Sequence, residues 1–170
     1  AREEQLYAKP EAPESITKLV GEALAARYGV ILLDAAYSGM NAISPANTLI
    51  LVGRPTLDDA MSLSEAYRVV AQKLTGQHSI GFGNMMTVLN MQQAGLLNAS
   101  DFHASATKVA QDSGLTSFPH VAAEIPYDPR VMIAPSAGRF PLDASDEFAR
   151  PIHTIGDLLF GTRVGSNNGR

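Results

Sequence analysis

The chain reads as an α/β domain, a mainly parallel sheet flanked by helices, and three features predict it. Short continuous apolar runs recur in "YGVILLDAAYSG", "NTLILVGRPT", "MMTVLN" and "HVAAEIP", the kind of run a strand shows when it is covered on both faces, as in parallel sheets. Between them lie stretches whose apolar residues return at helical spacing. The alternation of the two is the pattern of strand–helix–strand units. A length of 170 residues suits one domain with one sizeable core, and no internal repeat or linker divides it. The expected organisation is a single α/β domain or partial domain over residues 1–170, with a loose lead-in at 1–12 and a flexible tail at 162–170.

Each element has its own warrant. From about Pro13, a residue suited to a first turn, Ile16, Leu19, Val20, Ala23 and Leu24 line one helix face. A strand from Gly29 then ends at Asp34. After a Gly/Asn/Ser/Pro loop the second strand ends at Gly53 and Pro55. Thr56 with Asp59 three residues on has the form of a helix-start capping box, followed by the face Ala60, Leu63, Tyr67, Val70, Ala71 and Leu74, with Gly76 as the stop. The third strand is expected to end at Asn90. Ser100 or Asp101 then caps a helix carrying Phe102, Ala106, Val109 and Ala110, closed by Gly114. The fourth strand runs into Pro126, a segment broken by Pro135, Gly138 and Pro141 follows, and a last helix places Ile152, Ile155, Leu158 and Leu159 together before Gly161.

Composition removes several function classes. With 45% hydrophobic and 18% charged residues, disorder is excluded as the general state. A net charge of -4 without lysine or arginine clusters disfavours direct nucleic-acid binding. There is no cysteine, so disulfides and thiolate metal sites are ruled out. No apolar run approaches the about 20 residues of a membrane span, and a cytoplasmic protein is expected. His78, His103, His120 and His153 show no metal-ligand spacing, and no serine sits in a GxSxG elbow.

In open parallel sheets ligands bind beyond the carboxyl ends of the strands, where this chain offers Asp34, Arg54, Asn90 and Asp128. Asp34 can hold magnesium through water or simply turn the next loop. Asn90 carries the donor and acceptor needed to read an adenine edge, or it can merely start a loop. Asp128 lies between Pro126 and Pro129; the first proline stops the sheet ladder and the second keeps Asp128 out of helical geometry. An Asx-type turn is the reading its own surroundings favour. Tyr127 can stack on a base.

Taken in order, "YGVILLDAAYSG", "TLILVGRPTLDDAMSLSEAYRVV", "MTVLN" and "AEIPYDPRVMIAPSAGRFPLD" resemble the MinD/ParA branch of the P-loop ATPases, from about Tyr28 to Gly161. The resemblance implies that Asp34 matches the catalytic, magnesium-associated Walker B aspartate and that Asn90 matches the asparagine that reads adenine. It also implies that Pro126, Tyr127 and Asp128 form the turn that packs against adenine and ribose. Two departures stand out. The chain has no GxxxxGK[ST] and no Gly-Lys pair, and "DAAYSG" replaces the family's usual "DtppG".

Phosphate-loop amides, lysine and magnesium supply most of the grip on a nucleotide. One asparagine adds about 1 kcal/mol, against the roughly 8 kcal/mol of micromolar binding. The chain alone is therefore expected neither to hydrolyse ATP nor to bind it tightly. It begins Ala-Arg rather than with methionine, and the resemblance implies the carboxyl-terminal part of a larger ATPase that uses ATP and magnesium. Such a protein pairs with a missing amino-terminal segment or complementing chain, forms a homodimer, and serves a positioning or assembly system through protein partners. The alternative is a non-catalytic adaptor that keeps the scaffold for protein–protein contact.

Overall fold

The computed structural model describes residues 48–75 and 85–161, with Glu22 and Ala26. The helix expected from Pro13, the strand ending at Asp34, Gly76 and the tail after Gly161 lie outside the described residues. Within them, three strands form one sheet in the order β1 (Leu49–Gly53), β2 (Met85–Gln92), β3 (Val121–Pro126). Both pairings are parallel, with Leu49 opposite Met85 and Thr87 opposite Val121. The carboxyl tips therefore share one edge. Helix α1 (Leu57–Thr75) joins β1 to β2, and α2 (Ala99–Asp112) joins β2 to β3. After β3 come the short helix α3 (Pro129–Ile133), two 3-10 turns at Pro135–Ala137 and Pro141–Asp143, and α4 (Asp146–Phe160). The expected α/β fold with a parallel sheet is the observed one.

The core lies between the sheet and the α1–α2 pair. Alternation along the strands puts Leu51, Met85 and Leu89 on the face that meets Ala60, Tyr67, Val70 and Ala71 of α1 and Phe102, Ala106 and Ala110 of α2. The small residues let the helices approach, and the buried Ser64 hydroxyl reaches the carbonyls of Ala60 at 2.7 Å and Ala106 at 2.9 Å. Phe118 closes the far end, edge-on to Tyr67 with centroids 5.7 Å apart. His103 Nε2 fixes that loop by contacting the Phe118 carbonyl at 2.9 Å.

Local sequence chemistry explains the helix starts. Asp59 N–H donates to Thr56 Oγ1 at 3.2 Å, the expected cap of α1. For α2 the cap is Asn98 rather than Ser100 or Asp101: its Oδ1 accepts from Asp101 N–H at 2.9 Å and its Nδ2 donates to the Asp101 carboxylate at 2.8 Å. Helix α4 begins six residues before the expected apolar stripe, with Ser145 Oγ accepting from Phe148 N–H, and it carries Pro151 inside. Its stripe is also corrected, since Leu158 is exposed while Ile152, Ile155 and Leu159 are partly buried. Strand β2 runs two residues past Asn90, to Gln92. No helix among the described residues is long and apolar enough to cross a membrane.

Candidate functional site

The rim where β1, β2 and β3 end is stitched by its own backbone. Leu97 N–H donates to the Pro55 carbonyl at 3.0 Å, linking the loop after β2 to the end of β1. Tyr127 N–H donates to the Gln92 carbonyl at 3.0 Å, linking β3 to β2. Gln92 Nε2 donates to the Leu97 carbonyl at 3.1 Å. Parallel register thus brings Asn90, paired with Ile125, beside Pro126, paired with Gln92.

Two residues of β2 advance for one of β3 between Asn90 and Gln92, leaving Met91 as the extra residue of a bulge. Met91 has φ 63°, the only non-glycine residue with positive φ among those described. A methionine held there carries backbone strain, since this region suits glycine. Asn90 helps to hold it, its Oδ1 accepting from Met91 N–H at 2.9 Å. That oxygen has a second lone pair and the amide nitrogen has two hydrogens, so a donor and an acceptor remain for a base edge.

On β3, Pro126 is the last strand residue and Tyr127 is 44% exposed at the tip. Asp128 is buried and fully engaged. It caps α3 by accepting from Arg130 N–H at 2.9 Å, and the Arg130 guanidinium reaches both carboxylate oxygens, with Nη2 at 2.6 Å from Oδ2. The same Nη2 donates to Ser145 Oγ at 3.1 Å, the residue that caps α4. The Arg130 guanidinium first, and the Ser145 hydroxyl next, hold the Asp128 carboxyl well below the usual carboxylate range. One buried carboxylate therefore ties the end of β3 to the starts of two helices.

Arg54, the strand-end residue of β1, is likewise tied: its backbone N–H donates to Asp59 Oδ2 at 2.6 Å and its Nη2 to Oδ1 at 3.1 Å. Burial opposes ionisation of Asp59, yet Arg54 and the Thr56 hydroxyl together hold its carboxyl below its ordinary range. Asp34 lies outside the described residues. No cluster of three or more metal-ligating side chains occurs among the described residues.

Asn90, Pro126, Tyr127 and Asp128 thus lie on one rim, Asn90 and Tyr127 with polar or stacking groups to offer and Asp128 with its oxygens occupied. Sequence reading passed over Arg130, Ser145, Gln92 and Met91. The signals for two of them were present: "DPR" puts a cation two residues after the aspartate, and Ser145 precedes an acidic pair at a helix start. A methionine in left-handed geometry has no sequence signal.

No known protein-family profile matches the chain, and no curated protein does. Among solved structures, the crystal structure of a ParA family ATPase from Chlorobium tepidum TLS is similar, with a TM-score of 0.55 and 16% sequence identity. The likeness covers 84% of this chain and 55% of that one, so the chain spans little more than half the length of that ATPase. At this identity the likeness is one of fold: parallel strands in one sheet flanked by helices.

Proposed function

We propose that the chain is the carboxyl-terminal part of a MinD/ParA-like ATPase that works in the cytoplasm as an ATP-dependent positional or assembly switch. The observation that carries the reading is the shared rim of β2 and β3, where Asn90 pairs with Ile125, and Tyr127, two residues further on, bonds to Gln92 at the carboxyl ends of parallel strands. The fold likeness to a ParA family ATPase supports it.

In this reading Asn90 offers its amide to the adenine edge, and Pro126 and Tyr127 form the wall against which the ring packs. Asp128 acts as a positioning residue, because its carboxylate holds the wall through Arg130 and Ser145 instead of facing a ligand. Magnesium and the phosphates would be held by Asp34 and by a phosphate loop that these 170 residues do not spell out. Bound nucleotide would supply the charge that orders switch loops and favours a homodimer, which protein partners of the positioning or assembly system would then read.

The second reading, a non-catalytic adaptor, is favoured by one observation, the absence of any Gly-Lys pair. Hydrolysis by the complete protein separates the two. Asp34→Ala is expected to abolish turnover while leaving the fold intact; unchanged turnover rejects the role of Asp34, and a complete protein that neither binds nor hydrolyses ATP is the adaptor.

A further inference from the structure

Met91 is strained, and packing in the interior does not offset it. It stands in left-handed geometry at φ 63°, where every other positive-φ residue among those described is a glycine, Gly95 in the next loop included. That geometry disfavours any residue with a Cβ, so a glycine would do the same backbone work without strain. The methionine side chain is no part of the buried core either, being 37% exposed. Strain of this kind persists where a side chain is used and gathers at ligand sites, and bulges beside such sites re-aim side chains.

Its neighbours point to the use. Met91 follows Asn90, whose Oδ1 accepts its N–H at 2.9 Å, and precedes Gln92, whose carbonyl accepts from Tyr127 N–H at 3.0 Å. An amide that hydrogen-bonds the edge of a flat ring lies near the plane of that ring. The Cα of the next residue is about 3.8 Å away, so a long side chain leaving it reaches a face of the ring rather than its edge. Methionine, unbranched and with a polarisable sulfur, suits an aromatic face. We infer that Met91 is a further base-contacting residue of the rim, its thioether covering one face of a purine while Asn90 reads the edge and Pro126 and Tyr127 wall the other face. This assignment rests on the nucleotide reading of the rim.

Adenosine is the probe, because it carries base and ribose without the phosphates that need a phosphate loop. The full chain, labelled at its six methionine methyls and its asparagine amides, is titrated with millimolar adenosine by NMR, the Met91 signal being identified by its loss in Met91→Leu. The Met91 methyl is expected to move upfield, as a group above an aromatic ring does, while Met61, exposed on α1, stays in place. Met91→Ala should weaken adenosine roughly two- to tenfold, the range of a sulfur–aromatic contact, and Met91→Leu should restore part of the loss through its apolar contact. Both variants keep a Cβ in the left-handed position, so their urea midpoints should agree while their affinities differ. A Met91 methyl that stays in place while the Asn90 side-chain amide responds overturns the assignment and leaves the nucleotide reading standing. Equal affinity of the parent and Met91→Ala does the same. Silence from both groups overturns the nucleotide reading and the assignment together.

Discussion

The sheet face under α1 and α2 and the segment beyond β3 are held by opposite means. Under the helices Leu89, Phe102, Ala106 and Ala110 are all 0% exposed, and cohesion is apolar contact at close packing. Beyond β3, Met132, Ile133 and Phe140 are 63%, 66% and 78% exposed, and order comes from one carboxylate shared between Arg130 and Ser145. The first region keeps the strand tips parallel; the second sets what surrounds them. Substitution in the first should cost the fold, and substitution in the second should reshape the rim while the fold survives.

The largest expected effect lies in the packed face. Phe102→Ala should lower unfolding free energy by about 3–5 kcal/mol, read from urea denaturation, because a fully buried ring leaves a cavity that rigid neighbours cannot fill. A loss within the range of an exposed site would break the comparison. Next comes the bulge. Met91→Val should cost about 1–3 kcal/mol, since a β-branched residue resists left-handed geometry, whereas Met91→Gly should stay close to the parent; equal costs for the two would mean that Met91 is not strained. Ser145→Ala should cost about 1 kcal/mol through the lost α4 cap, and amide exchange should quicken at the start of α4 but not in α2.

A pH series sharpens the contrast. The folded-state pKa of Asp128 is depressed, so its contribution is complete above the ordinary carboxylate value of about 3.9 and is lost as pH falls below it. The urea midpoint should drop on that acid limb, and less steeply in Arg130→Ala; identical acid limbs would remove the Asp128–Arg130 pair from the account. Smallest of all, Tyr127→Ala should change stability by no more than about 0.5 kcal/mol, an expectation that a core-sized loss would contradict.

Legibility followed the same division. The α1 start was readable because Thr56 and Asp59 are the first capping pair before an apolar stripe. The α2 start was not, because "NASD" offers three residues able to cap and only geometry shows that the side chain of Asn98 reaches Asp101 N–H. Leu158 was assigned to the buried stripe although six residues from Ile152 place it about 120° off that line at 3.6 residues per turn, and it is exposed. At the site, the two prolines around Asp128 announced a strand stop and a non-helical aspartate, and in the structure β3 ends at Pro126 and Asp128, in extended geometry, caps α3. Register, the Met91 bulge and the bond from Arg130 to Ser145, fifteen residues on, depend on contacts between distant residues that no local pattern spells.

The central claim is that the rim shared by β2 and β3 is the base side of a nucleotide site. The ratio of ATP to GTP dissociation constants, measured in the complete protein and in its Asn90→Ala variant, tests it most directly. The account predicts a clear preference for ATP in the parent that falls toward parity in the variant, with the fold unchanged by circular dichroism. A preference that is the same in both proteins would contradict it.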